Sequence, residues 1–89
     1  MQAREIVITS RQGLHARASA RIVHVASRFR STVLLSSGAR RASAQSIVAV
    51  MLLAAAFGST IRIETSGPDE MAAMTAIVDL IHSDLDPRA

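Results

Sequence analysis

The sequence predicts an α+β fold: a two-layer, open-faced sandwich of order βαββαβα, with a four-stranded antiparallel sheet and three helices on one face. Three observations carry this expectation. Four short segments alternate apolar and polar residues, as strands do when they bury one face and leave the other wet. Two longer segments repeat apolar residues at helical spacing, and a third, shorter one is apolar almost throughout. The two kinds interleave along 89 residues without a repeat, linker or low-complexity tract. A chain of that length is expected to form one domain, residues 1–89. It buries roughly 60% of its unfolded surface, which leaves no room for a large substrate cavity.

Each element has its own warrant. Residues 5–9 (EIVIT) alternate, with Ile6 and Ile8 on one face, and Arg11, Gln12 and Gly13 break the strand. From Ala16 a helical stripe runs through Ala18, Ile22, Val25 or Ala26, and Phe29, with Arg17, Arg21, His24 and Arg28 mostly outside it. Residues 32–36 (TVLLS) form a second strand with Val33 and Leu35 inward, and Ser37-Gly38 turns the chain. Residues 40–44 (RRASA) read as a polar edge strand, Ala42 and Ala44 inward, Arg40 and Arg41 a solvated face. Ser46 stands as N-cap before an apolar helix at 47–55, which Gly58 ends as a C-cap. Residues 60–65 (TIRIET) alternate with Ile61 and Ile63 inward, and Gly67-Pro68 turns the chain. Pro68 and Asp69 open the last helix, whose inner face holds Met74, Ile77, Val78, Ile81 and Leu85; Met71 and Met74 read as core filler.

Composition excludes several chemistries. Cysteine is absent, which removes disulfides, a thiolate nucleophile and cysteine-based metal sites. A secreted domain this small would usually carry disulfides, so a cytoplasmic location is expected. Arg4 and Glu5 precede any apolar run, unlike a signal peptide, and the longest apolar run, Ile47 to Phe57, is far short of the about 20 residues a membrane span needs. No lysine is present, so Schiff-base chemistry and a P-loop lysine are excluded. The net charge of +3 and pI near 11.4 suit nucleic acid, an acidic protein or bound phosphate. Phe29 and Phe57 are the only aromatic residues, too few for the stacking platform of a single-strand nucleic-acid binder.

The chemically informative segment is GLHARASA at 13–20. Gly13 and Leu14 lead from strand to helix, and His15 falls at or beside the helix N-cap. The first backbone N–H groups of the helix, those of Ala16 and Arg17 among them, have no intrahelical acceptor and carry the positive end of the macrodipole. An anion is held there. A phosphoryl group on a ring nitrogen of His15 would occupy that place, with the Arg17 guanidinium contacting its oxygens. Neutral imidazole is a good nucleophile and forms a labile phosphoramidate. The helix field disfavours imidazolium, which keeps the nucleophile ready. Taken alone the signal is weak, since a single histidine before a helix is most often a capping or solvated side chain. His24 and His82 read as solvated helix residues. The three histidines lack paired spacing, so no metal site and no cofactor are expected.

The motifs give more. GLHARASA resembles the active-site signature of the HPr family, normally GLHARPAA or a close variant. AQSIVAVMLLAAAFGSTIRI at 44–63 is similar to the family's second signature, a serine opening a short helix followed by Gly and a strand. GPDE at 67–70 resembles the family's Gly-x-Asp-Glu before its last helix. The resemblance implies an open-faced βαββαβα sandwich, a phosphohistidine intermediate, a donor (enzyme I, charged by phosphoenolpyruvate) and acceptor enzyme IIA proteins. By position, His15 matches the phosphoacceptor, Arg17 the supporting arginine, and Ser46 the serine that a dedicated kinase/phosphorylase modifies in some lineages. Ala20 of the first helix, with Ile47, Val48 and Met51, forms the expected docking patch. The chain departs from the family at Ala18, where many members have proline, and at His24, Ser27, Gln45 and Ala49, where others often carry lysine. Arg21 and Arg28 could replace part of that basic rim.

Three readings follow: a phosphocarrier for sugar uptake, a nitrogen-related carrier with regulatory output, and a non-catalytic regulatory binding module. Retention of His15 and Arg17 argues against the last. No nucleic-acid or membrane partner is expected, and a monomer suits a carrier that presents one surface to successive partners.

Overall fold

The computed structural model describes residues 1–8, 16–53 and 58–84. Its elements run β1 (Gln2–Val7), α1 (Ala16–Ala26), β2 (Thr32–Ser37), β3 (Arg40–Ser43), α2 (Ile47–Leu52), β4 (Thr60–Ser66) and α3 (Glu70–Asp84). The strands form one sheet in the order β1-β4-β2-β3, every neighbouring pair antiparallel. β4 therefore sits inside the sheet, between β1 and β2, although it is the last strand in the chain.

Alternation puts one face of the sheet in the core. Ile6 and Ile8, Val33 and Leu35, Ala42 and Ala44, and Ile61 and Ile63 are all buried. The helices close over this face: α3 packs on β4, β1 and β2, α2 packs on β3, and α1 packs on α2 and α3. They contribute Ala18, Ile22 and Ala26 from α1, Val50 from α2, and Ala73, Met74, Ile77, Val78 and Ile81 from α3 to one continuous apolar cluster. The other face is open. Across it Arg62 lies 3.7 Å from Glu5, its direct cross-strand partner, and 3.3 Å from Glu64, while Arg41 reaches Glu64 at 3.9 Å. Exposed pairs of this kind add little stability, but they suit a sheet face that stays in water.

The turn from β4 into α3 is fixed by contacts distant in sequence. Asp69 accepts the Arg30 amide at 3.0 Å and the Ser31 hydroxyl at 2.6 Å. The Ser31 hydroxyl, then the Arg30 amide, hold the Asp69 carboxyl below its ordinary value of 3.8. Gly67, at φ 150°, passes so close to Ser31 that an added Cβ would lie 2.7 Å from its Cα, so only glycine fits this crossing. Thr65, buried on the core face, donates its hydroxyl to the Glu70 carbonyl at 2.9 Å and joins strand to helix.

Several elements differ from the sequence expectation. The first strand begins at Gln2 rather than Glu5, because β1 is an edge strand held by its backbone register with β4, which needs no apolar alternation. Its expected end, Thr9, lies outside the described residues. The helix expected at 47–55 is described to Leu52, with Leu53 at its C-cap in right-handed geometry. Gly58 is not the cap: at φ 85° its amide donates to the Ile8 carbonyl at 2.9 Å, returning the chain to the sheet. Phe29 lies beyond the end of α1, partly buried against the core. The last helix starts at Glu70, with the Asp69 carbonyl accepting the Ala73 amide at 2.9 Å. Met71 is 68% exposed, so only Met74 of that pair fills the core. Leu85 lies outside the described residues.

Candidate functional site

The first described residue of α1 is Ala16. Its opening turn divides by face: Ala16 and Arg17 are exposed, Ala18 and Ser19 buried. The division follows from the sequence, since Ala18, Ile22 and Ala26 form the buried stripe at intervals of four. Arg17 stands at the end of the helix where the amide groups lack intrahelical acceptors, so its charge adds to the positive pole of the helix. His15, the expected phosphoacceptor, lies outside the described residues, as does the rest of segment 9–14.

Beyond Arg17 the solvent side of α1 carries Arg21 and His24, and Arg28 follows in the turn after the helix; all three are exposed, and the helix contains no acidic residue. Arg28 Nη2 lies 3.1 Å from His24 Nε2, and Ser27 donates its hydroxyl to the His24 carbonyl at 2.7 Å. Arg17, Arg21 and His24 fall at intervals of four and three, so they form one ridge along the helix, which Arg28 extends through its contact with His24.

α2 sits beside α1. Ser46 is its N-cap: the backbone is extended (φ −119°, ψ 111°), and the hydroxyl accepts the Ala49 amide at 3.2 Å while the carbonyl accepts the Val50 amide at 3.0 Å. The sequence expectation for this cap holds. The Ser46 side chain is exposed, which a modifying enzyme requires. Within α2 only Val50 is buried. Ile47, Val48 and Met51 are exposed, and Ala20 of α1 is exposed as well. Leu52, 64% exposed, extends the strip and was not singled out by sequence, because at 47–55 nearly every residue is apolar and no polar face marks the outside.

Arg40 has a role that its reading as a solvated face missed. Its Nη1 donates to the Leu52 carbonyl at 2.9 Å, at the C-terminal end of α2, where helix carbonyls lack partners and a cation is favoured. The contact joins residues twelve apart through tertiary packing, so no local motif announces it. Among the described residues no group of three or more His, Asp or Glu side chains could hold a metal ion, and no helix is long and apolar enough to cross a membrane.

Residues 2–83 match the family described as "PTS HPr component phosphorylation site". The phosphocarrier protein HPr of Cupriavidus necator is 48% identical over 81 residues, covering 91% of each chain. That of Xylella fastidiosa is 44% identical over 79 residues, covering 89% of each. Among solved structures, HPr-C-His from Thermoanaerobacter tengcongensis superposes with a TM-score of 0.89 at 35% identity, over 96% of both chains. Sequence motifs, element order and superposition agree over nearly the whole length, and the chain belongs to the HPr family, the phosphocarrier proteins of the phosphotransferase system.

Proposed function

We propose that the chain, acting as one unit over residues 1–89, carries the phosphoryl group on His15, taking it from enzyme I and passing it to enzyme IIA proteins. The observation that carries this reading is the GLHARASA segment running directly into the first turn of α1 at Ala16. In the forward step a ring nitrogen of neutral His15 attacks the phosphorus of phosphorylated enzyme I; the new P–N bond forms as the donor's bond to phosphorus breaks. The return step runs the same exchange toward an acceptor. The chain supplies no second acid or base in this segment, so its partners complete the chemistry.

Ala16 and Arg17 hold the phosphoryl oxygens, Ala16 through its amide and Arg17 through its guanidinium; a charge-assisted contact of this type contributes about 1.5–3 kcal/mol when fully made. Ala20, Ile47, Val48 and Met51 form the docking face. Ser46 is the regulatory position, open to a serine kinase/phosphorylase. The carrier works in the cytoplasm, as a monomer that offers one face in turn to each partner.

Incubation with enzyme I and phosphoenolpyruvate, followed by acid-lability assay and mass mapping, tests the assignment. One acid-labile phosphoryl group on His15 is expected. Label remaining in a His15→Ala variant would overturn it, because His24 and His82 stand away from any helix N-terminus.

A further inference from the structure

A groove of about 300 Å³ lies where β3 meets the C-terminal half of α2, lined by Arg40, Arg41, Ala49, Leu52 and Leu53. It is separate from the start of α1. Its floor is aliphatic, and its lining holds two cations and no acid. Arg40 spends one of its five N–H donors on the Leu52 carbonyl. That bond fixes the guanidinium at the groove while leaving it exposed. Arg41 is shared with the open sheet face, where Glu64 lies 3.9 Å away. Leu52 belongs to two surfaces at once: it lines the groove, and it ends the exposed strip of Ile47, Val48 and Met51. β3 is an edge strand, so no further strand of the sheet covers this side.

We infer that the groove is a second anchor point for a protein that docks on α2, and that it takes an acidic segment of that protein. The segment would set one aliphatic side chain on Ala49, Leu52 and Leu53 and one flanking carboxylate against Arg40. The charge of the lining selects acid over base, and the volume admits a side chain or two rather than a folded element. The aliphatic floor beside a fixed cation rewards an amphipathic residue pair over a plain anion. This inference rests on the reading of α2 as the docking face.

Binding of enzyme I and of an enzyme IIA from the same organism to the full 89-residue chain, by titration calorimetry at low and high salt, tests it. Leu52→Ser and Arg41→Glu probe the floor and the wall, and Arg40→Glu the fixed cation. Arg62→Glu on the open face changes net charge equally without touching the groove. Met51→Asp reports separately on the α2 face, and melting curves confirm folding. Expected is a loss of affinity for at least one partner of about tenfold or more in Leu52→Ser and Arg40→Glu, smaller in Arg41→Glu, against less than threefold in Arg62→Glu. If the groove variants match Arg62→Glu with both partners while Met51→Asp loses binding, the groove inference is overturned and the docking reading stands. If Met51→Asp binds normally, both fall. Should Arg40→Glu melt early, Arg41→Glu decides against the Arg62→Glu control, because Arg41 lines the groove and does not belong to the α2 strip.

Discussion

α2 and α3 are both apolar helices, yet they spend their apolar residues in opposite ways. α3 turns Ala73, Met74, Ile77, Val78 and Ile81 into the core and leaves Thr75, Asp79 and His82 outside. α2 buries Val50 alone and leaves Ile47, Val48, Met51 and Leu52 exposed. A helix needs an apolar stripe to hold it on the sheet, and α2 has more than that. Val50, with Leu53 at the C-cap, fastens it, the Ser46 hydroxyl closes its first turn and Arg40 its last. The remaining apolar surface lies outside the buried core, and uncovered apolar side chains grouped on one helix are what the proposed contact surface requires. The difference also concerns length. A helix of six residues is marginal by itself, so α2 depends on caps, whereas the fifteen residues of α3 depend on packing.

The most forceful way to break this contrast is truncation on each helix. Ile77 is fully buried, so Ile77→Ala removes transfer energy and leaves a cavity, at a cost of about 2–5 kcal/mol. Val48→Ala exchanges one exposed apolar group for a smaller one and should change stability by no more than about 0.5 kcal/mol. Urea denaturation measures both. A Val48→Ala loss close to that of Ile77→Ala would mean that the outer face of α2 is structural and would end its reading as a contact surface.

Acid is expected to act next, and on the α3 side. The Asp69 carboxyl is held below its ordinary value by the Ser31 hydroxyl and the Arg30 amide. In that range of pH the unfolded chain binds the proton more readily than the folded one, so stability rises with pH. The contribution is therefore complete above the unfolded value near 3.8 and is lost as pH falls through the lower, folded value. The melting temperature of the native chain should drop on acidification below about pH 4, and Asp69→Asn should flatten part of that drop. Equal slopes in both proteins would show that the tie from Asp69 to the segment before β2 contributes nothing.

A smaller effect of opposite sign comes from Ser19. Its hydroxyl is fully buried in α1 and has no hydrogen-bond partner among the described residues. A buried hydroxyl without a partner costs about 1–3 kcal/mol in desolvation, and alanine is the better helix former. Ser19→Ala should raise stability by about 1 kcal/mol. Destabilisation instead would reveal a partner for the hydroxyl.

These expectations also separate what was legible in the sequence from what was not. Alternation at Ile61/Ile63 and Val33/Leu35, the stripe of α1 and the inner face of α3 are local patterns, and each reappears in the fold. The Ser46 cap was legible for the same reason, its partner Ala49 being three residues away. The misread features depend on distant partners. β1 starts at Gln2 because β4 offers it a register. Gly67 is required by Ser31, and Asp69 binds a segment thirty-eight residues upstream. Gly58 turns toward Ile8 rather than closing a helix. Met71 keeps helical spacing with Met74 and Val78, yet in the first turn of α3 it falls on the solvent side. At the candidate site, residue types and motif spacing pointed to His15, Arg17 and Ser46, but not to Leu52 or Arg40, whose contact crosses between two elements.

The finest test of the contrast leaves the fold almost untouched. Ser46→Asp replaces one good N-cap by another, since an aspartate oxygen can also accept the Ala49 amide and its charge is favoured at a helix N-terminus. The melting temperature should therefore stay within about 0.5 kcal/mol equivalent of the native chain. Beside the exposed Ile47, Val48 and Met51, however, the new charge must be desolvated whenever a partner covers that strip, and it repels an acidic partner. Enzyme I affinity should fall by roughly tenfold, equivalent to about 1.4 kcal/mol, at unchanged stability. Calorimetric titration paired with a melting curve reads the two quantities separately. Full affinity would reject inhibition of docking as the consequence of a negative charge at Ser46, while reduced affinity with an early melt would point to a damaged cap. The expected pair of results, a stable fold that binds poorly, follows where a partner covers the apolar surface beside Ser46, and its persistence at high salt separates desolvation of the charge from simple repulsion.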